Sequence, residues 1–441
     1  MADESKNLHI VMFPFLAFGH ILPFYELAKL LAQKGHKISF ISTPRNIKRL
    51  PKPPLNLQPF LELIELPLPQ VENLPQNAES TMDIPHHMVP YLKKAFDGLE
   101  EPLSKFLESC TPHWIIYDFA PYWLPPISSK LGISCINLYI FTAFVQITTL
   151  NALLNPNSAE KEVSKGVYEF LTLQNESGVT DAFRIQESIR GAAAISIRSC
   201  MEVEGKSIRY IENLCKKPVI PVGLLPPPLP QNGIQDNNKD ENWNTILKWL
   251  DEQEKESVIY VAFGSEVTLS DEEFIEINMG LHLSGCPFFW VLKNKKNIPN
   301  ELNNNKLGII WNDWAPQLKI LAHKSIGGFL SHCGWSSVIE SLEFGCPLIL
   351  LPFQGEQELN AMVVEGMKVG VKVERNEGDR KFTRYSIAKA LRTMMLEEEG
   401  KSCRRHAEEK KSKIFGSMEI QQKYIDDFVD YMQIHRPIKN N

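Results

Sequence analysis

Between Trp314 and Gln357 the chain gathers its densest set of residues that could do chemistry. They are Trp314-Ala315-Pro316-Gln317, His323, Gly327-Gly328-Phe329, His332-Cys333-Gly334-Trp335-Ser336-Ser337, Glu340, Gly345, Pro347 and Gly355-Glu356-Gln357. The centre of this stretch reads as an anion site. An apolar run ends near Leu330, Gly334 permits a tight turn, and Ser336-Ser337-Val338-Ile339-Glu340 opens a helix whose first amides have no intrahelical partner. A diphosphate fits there, with His332, Ser336 and Ser337 as further donors and Glu340, one turn on, able to accept from a ribose diol. Taken alone, Ser337 to Glu340 reads first as a capping box, and Trp335 alone as a core residue. In the first half, His20 stands in Gly19-His20-Ile21-Leu22-Pro23, read as a turn in which a histidine can be exposed, held by backbone and free to take a proton. Asp118 closes the apolar run Trp114-Ile115-Ile116-Tyr117.

Two rounds of alternating strands and helices must position these residues. Leu8 to Pro14 reads as a strand, Pro23 to Ala32 as a helix ending at Gly35, and Lys37 to Ser42, His113 to Tyr117, Ser134 to Tyr139 and Ala193 to Ile197 as further strands. From Pro218 to Trp243 the composition turns to prolines, then Asn and Asp, as in a connection between domains. The alternation then resumes: strands at Ser257 to Phe263, Phe288 to Leu292, Ile326 to Ser331 and Leu348 to Pro352, with a helix at Asp271 to Ser284. Glu397 to Lys413 and Ile420 to Ile434 read as amphipathic helices, the latter long enough to pack back on another domain. The expected class is α/β, with two doubly wound Rossmann-like domains facing across a cleft at the carboxyl ends of their strands. The expected limits are 1–225, a linker at 226–243, 244–415, and a returning helix at 416–441.

Composition narrows the function classes. At 441 residues the chain exceeds the roughly 250 to 300 at which one core stops growing. Hydrophobic residues at 43% and charged residues at 23% are globular values. A net charge of -6, with no basic stretch interleaved with aromatics, argues against nucleic acid as a partner. The polar start Met1-Ala2-Asp3-Glu4 lacks a secretory pattern and no apolar run reaches membrane-helix length, so a cytoplasmic protein without a membrane span is expected. Eight cysteines show no C-x-x-C or zinc-like spacing and are expected to be reduced. The sequon at Asn175 carries no weight without a secretory pattern. The dinucleotide fingerprint, P-loop and kinase motifs are absent, which weakens dehydrogenase and phosphotransferase readings.

The stretch Trp314 to Gln357 closely resembles the C-terminal signature of plant family-1 UDP-dependent glycosyltransferases, matching from Trp314, Pro316 and Gln317 through His332 to Trp335, Ser337 and Glu340 to Pro352 and Gln357. The resemblance extends over essentially the whole chain, including Val258 to Ser265. It implies the GT-B fold and an inverting hexosyl transfer. Trp314 would stack on uracil, with Ala315 and Gln317 fixing base and ribose. Glu340 would hold the ribose; His332, Ser337 and Ser265 the diphosphate; Trp335, Glu356 and Gln357 would face the sugar, and Ser336 would meet the phosphate or the sugar. His20 would be the base that deprotonates the acceptor and Asp118 its helper carboxylate, although Asp118 also suits a strand-terminal turn. Departures are Ser336, where most members carry Asn, Glu356, where Asp is commoner, and a segment Lys293 to Asn312 that is shorter than usual.

Gln357 resembles the residue of glucose-using members, which implies UDP-glucose as co-substrate, with UDP-rhamnose, UDP-xylose and UDP-galactose as alternatives. Ser42 to Asn46, Ala78 to Pro85 and Ser336 resemble the branch that builds sugar on sugar, which implies that the acceptor is a terpenoid, steroid or flavonoid glycoside, with a bare aglycone as the alternative. Glu79, Ser80, Thr81 and Asp83 could bond an acceptor sugar or form a plain loop, and Phe15, Phe18, Phe119, Tyr122 and Trp123 could hold a flat or polycyclic aglycone or belong to the core. No metal or other cofactor is expected, since neutral donors and a helix N-terminus can meet the diphosphate and no Asp-x-Asp motif is present. A monomer is expected. The rivals are an epimerase-like UDP-sugar enzyme and a nucleotide-sugar-binding protein without catalysis.

Overall fold

The computed structural model describes residues 7–154, 162–229, 237–264, 267–292, 307–353 and 355–437. They form two units, one of residues 1–225 with 418–441 and one of residues 226–417.

The first unit is built on seven strands: β1 (His9–Phe13), β2 (Lys37–Ser42), β3 (Leu61–Glu65), β4 (Trp114–Tyr117), β5 (Ser134–Tyr139), β6 (Ala194–Ile197) and β7 (Val219–Pro221). Their order is β3-β2-β1-β4-β5-β6-β7 and the pairings are parallel. Parallel strands covered on both faces must be apolar almost throughout, and β4 and β6 are buried at every position. One face packs on the helix Phe18–Gln33 and the C-terminal helix Met418–Ile434, the other around Phe13, Phe96, Leu103 and Tyr117.

The second unit carries β8 (Val258–Ala262), β9 (Phe288–Val291), β10 (Gly308–Trp311), β11 (Ile326–Ser331), β12 (Leu348–Leu350) and β13 (Gly370–Lys372), in the parallel order β10-β9-β8-β11-β12-β13. Its core joins Val261, Trp290, Leu330 and Ile349 to Ile387 and Leu391 of the helix Arg384–Leu396.

Three sequence expectations are corrected. The first helix starts at Phe18, before Pro23: the amides of His20 and Ile21 both donate to the carbonyl of Ala17 at 2.8 Å, so the residues taken for a turn are its first turn. The linker is shorter than 226–243, because the helix Asn237–Asp251 begins inside it. Ser337 to Glu340 is no capping box: Gly334 is the N-cap residue, without a side-chain cap, and the helix already begins at Trp335. The segment Lys293 to Lys306 lies outside the described residues. No helix among the described residues is long and apolar enough to cross a membrane.

Candidate active site

In the first sheet the strand order reverses between β1 and β4, and the pairing Phe13 with Tyr117 brings their carboxyl ends level. Connections leaving such a point diverge to opposite faces and open a crevice. His20 is the third residue of the helix after β1, and Asp118 is the first residue after β4. Their Nδ1 and Oδ2 atoms stand 2.8 Å apart. Asp118 is held on every side: Oδ2 accepts from the Phe15 amide at 2.6 Å, Oδ1 from the Ala120 amide at 3.0 Å, and its carbonyl from Asn137 Nδ2 at 3.0 Å. A carboxylate fixed in this way selects the tautomer with the proton on Nδ1 and leaves Nε2 to take one from elsewhere.

His20 is 8% and Asp118 2% exposed, which corrects the expectation of an exposed loop histidine. The rings of Phe15, Phe119 and Phe141 surround the imidazole at centroid distances of 5.9, 5.7 and 5.6 Å. Phe15, Phe119 and His20 thus form one cluster. Tyr122 turns its ring to Arg184 (5.1 Å) and Phe183 (5.5 Å), and Phe18 lies 5.9 Å from the Arg49 guanidinium.

The polar acceptor residues largely bond one another. Ser80 is 0% exposed and caps the turn Thr81–Asp83, so it presents no hydroxyl to an acceptor here. The carboxyl of Asp83 is partly buried, yet the Arg49 guanidinium and the Glu79 amide hold it below its ordinary range. The Glu79 carboxylate accepts from the Arg45 amide at 2.7 Å, the Glu79 carbonyl from Asn46 Nδ2 at 2.7 Å, and the Thr81 backbone amide donates to the Leu16 carbonyl at 3.0 Å. The segments Ser42 to Asn46 and Ala78 to Pro85, far apart in sequence, are therefore one clasp beside the β1 loop.

In the second sheet the order reverses between β8 and β11, with Ser331 level with Ala262. Gly264 follows β8 and His332-Cys333-Gly334 follows β11. Two glycines make room for His332: a Cβ on Gly264 would fall 2.9 Å, and one on Gly334 2.5 Å, from its Nε2. Gly264 also needs its φ of +74°. Desolvation pushes the His332 pKa down to about 4, so the ring is neutral near pH 7, and its Nδ1 has no hydrogen-bond partner. The amides of the helix Trp335–Glu343 start beside it; Trp335 and Ser337 are buried, and Ser336 is half-buried on its first turn.

Tyr260 Oη donates to Gln317 Oε1 at 3.2 Å, and Gln317 Nε2 donates to Glu340 Oε2 at 2.6 Å. This relay fixes the Glu340 carboxylate. Trp314 is 45% exposed in the segment before the helix Gln317–Leu321 that also holds Ala315, an open ring that suits stacking. Gln357 Oε1 accepts from the Phe353 amide at 2.9 Å, which sets the orientation of its amide, and Glu356 stands beside it in the first turn of the helix Gly355–Gly366. Ser265 lies outside the described residues. Among the described residues no cluster of three His, Cys, Asp or Glu side chains is placed to hold a metal ion.

Sequence reasoning passed over Asn137, Tyr260 and Arg184. The available signal was polarity inside apolar runs: Asn137 interrupts Ile136 and Leu138, and Tyr260 interrupts Ile259 and Val261.

The family model described as UDP-glucoronosyl and UDP-glucosyl transferase matches residues 220–403. The chain is 42% identical to soyasaponin III rhamnosyltransferase of Glycine max, over 98% of this chain and 97% of that one. It is 34% identical to anthocyanidin-3-O-glucoside rhamnosyltransferase of Petunia hybrida, over 98% and 97% respectively. A crystal structure of a Glycyrrhiza uralensis UGT complexed with glycyrrhetinic acid 3-O-monoglucuronide superposes with a TM-score of 0.79 at 22% identity, covering 97% of this chain and 96% of that one, a likeness of fold.

Proposed function

The chain belongs to the family of UDP-dependent glycosyltransferases that act on small molecules, and on that premise we propose that it transfers glucose from UDP-glucose, with inversion, onto a sugar hydroxyl of a terpenoid, steroid or flavonoid glycoside. The observation that carries the reaction is the 2.8 Å contact between His20 and the immobilised Asp118. In this reading Nε2 of His20 takes the proton of the acceptor hydroxyl as its oxygen attacks the anomeric carbon, and Asp118 stabilises the imidazolium. The bond from that carbon to UDP breaks, and the departing charge is met by the amides of the helix Trp335–Glu343 and by neutral His332. Attack from the face opposite the leaving group turns an α-linked donor into a β-linked product. Trp314 stacks on uracil while Gln317 and Glu340 hold the ribose. The reaction needs no metal or other cofactor in this reading, so rates with and without EDTA are expected to agree.

Glucose rests on Gln357, whose tethered amide suits neighbouring equatorial hydroxyls. UDP-rhamnose is a second reading, because both named relatives are rhamnosyltransferases. The glycoside acceptor is supported by the Petunia relative's name, which specifies a glucoside, and by the family branch that the clasp segments resemble. The test offers UDP-glucose and UDP-rhamnose at equal concentration, each with an aglycone and its monoglucoside, with products identified by mass and anomeric coupling. Glucosylated monoglucoside is the expected major product. A rhamnosylated product selects the second donor, faster turnover of the aglycone rejects the acceptor, and UDP release without any coupled product rejects the transferase assignment.

A further inference from the structure

Two helices of the first unit, Val89–Asp97 and Asp181–Gly191, are cross-linked by two ion pairs, Lys93 with Asp181 buried and Arg184 with Asp97 partly buried. Lys93 Nζ lies 2.6 and 2.7 Å from the carboxylate oxygens of Asp181. Arg184 Nη1 and Nη2 lie 2.7 and 2.5 Å from the two oxygens of Asp97. Lys93 and Asp97 are four residues apart and Asp181 and Arg184 three, so each helix presents its two charges on one face. The Arg184 side chain is 0% exposed. Burying charges costs desolvation that their pairing seldom exceeds, and well-packed apolar residues often replace such pairs without loss of stability. Two such pairs at one place therefore point to a task that apolar packing could not perform.

That task lies in the turn between them. Arg184 Nη1, besides meeting Asp97, donates to the Ala120 carbonyl at 2.9 Å, and the guanidinium lies 5.1 Å from the centre of the Tyr122 ring. Lys93 Nζ stands 5.7 Å from the centre of the Phe119 ring, and Trp123 Nε1 donates to Asp97 Oδ1 at 3.3 Å. Four of the five residues from Phe119 to Trp123, all but Pro121, are thus held by the two pairs. The turn begins at Asp118, and Ala120, gripped at its carbonyl by Arg184, gives its own amide to Asp118 Oδ1. Phe119 is one of the rings around the imidazole.

We propose that Arg184 is a positioning residue for the His20–Asp118 pair, acting through the Ala120 carbonyl to hold the Asp118 carboxylate in line with the histidine. Asp97 fixes the guanidinium, and the Lys93–Asp181 pair sets the spacing of the two helices. The inference rests on the assignment of His20 and Asp118 made above. A lysine at 184 keeps the charge but lacks the planar fork whose two nitrogens each meet one Asp97 oxygen while Nη1 also donates to the Ala120 carbonyl.

The test is a double-mutant cycle on kcat with Arg184→Lys and Asp118→Ala. Arg184→Lys is expected to lower kcat about tenfold, since small misplacements of catalytic groups are costly, and to leave UDP affinity unchanged. In the Asp118→Ala background it should lower the residual rate by less than about twofold, because the group it positions is gone. An equal factor in both backgrounds means that Arg184 only braces the fold, and the proposal fails; so it does if Arg184→Lys leaves kcat unchanged. If Asp118→Ala alone leaves kcat unchanged, the assignment of Asp118 fails first. Should Arg184→Lys not give folded protein, Asp97→Asn, which keeps the shape but removes the charge that fixes the guanidinium, goes through the same cycle with the same outcomes deciding.

Discussion

At the scale of single residues, His20 and His332 face opposite demands, and their surroundings differ accordingly. His20 meets a carboxylate at 2.8 Å, as a base must if it is to carry a proton through the transition state. His20→Ala is expected to lower turnover about a hundredfold or more while UDP affinity, measured by calorimetry, stays near wild type; unchanged turnover would remove the base assignment. His332 has no counter-charge, and burial depresses its pKa from 6.5 to about 4. Between those values the unfolded chain binds a proton that the folded one refuses, so this residue's contribution is lost as pH falls from 6.5 towards 4, by at most about 2 kcal/mol at pH 5. In urea unfolding without ligand, His332→Gln should therefore lose less stability than wild type on moving from pH 7.5 to 5, and equal losses would refute this. Both histidines were legible in the sequence because each follows an apolar strand at a glycine. Their environments were not: a histidine's burial and partner depend on Asp118 in one case and on two glycines in the other, and neither relation is local in sequence.

At the scale of elements, the strands found from sequence and those missed divide by position in the sheet. The central strands are apolar and buried on both faces, so their pattern survives in isolation. The four missed strands, β3, β7, β10 and β13, are the four sheet edges. An edge strand has one bonded neighbour and partial cover, and these show it: β7 and β13 are half-buried throughout, and β7 ends in Pro221, which an edge accepts because no donor is required on its open side. The same argument explains why the site elements were legible, since they leave the sheet centres where the patterns are strongest. It also bears on Gly334, which takes the N-cap place of the helix Trp335–Glu343 without a side-chain cap. Ser or Asp is the usual choice there, but a Cβ would fall 2.5 Å from His332 Nε2. Gly334→Ala should displace the ring and raise the KM for the UDP-sugar about tenfold, the worth of one good hydrogen bond, with kcat less affected. An unchanged KM would show that His332 does not touch the donor.

At the scale of the whole molecule, the chain leaves the first unit at Leu225 and returns to it at Met418. The returning helix is structural, not an appendage. Ile425, Phe428, Val429 and Met432 are buried in the first unit's core, and Trp114 Nε1 donates to the Met432 carbonyl at 3.0 Å. At about 1.5 to 3 kcal/mol for each side chain, these four contribute about 6 to 12 kcal/mol, comparable with the roughly 5 to 15 kcal/mol by which a domain is stable. The exit and the return are also joined. Gln421 Oε1 accepts from the amides of Leu224 and Leu225 at 3.0 Å each, and its Nε2 donates to the Val222 carbonyl at 2.8 Å. Gly223, at φ +76°, leaves the space: a Cβ there would lie 2.5 Å from Gln421 Oε1. Arg198 completes the latch by donating to the Leu224 carbonyl at 2.8 Å and the Leu225 carbonyl at 3.3 Å. The amphipathic pattern of the tail suggested from sequence that it packs on something, but the amide of one glutamine against three backbone groups some two hundred residues away carries no pattern at all. A chain ending at Ser417 is expected to lose the fold of its first unit, seen as loss of slow amide exchange in β1 and β4. Gln421→Ala, which leaves buried backbone groups without partners, should cost about 1 to 3 kcal/mol and speed exchange at Leu224 and Leu225 while β1 keeps its protection. If the truncated chain retains slow exchange in β1 and β4, the helix is dispensable, and the burial argument for it is wrong.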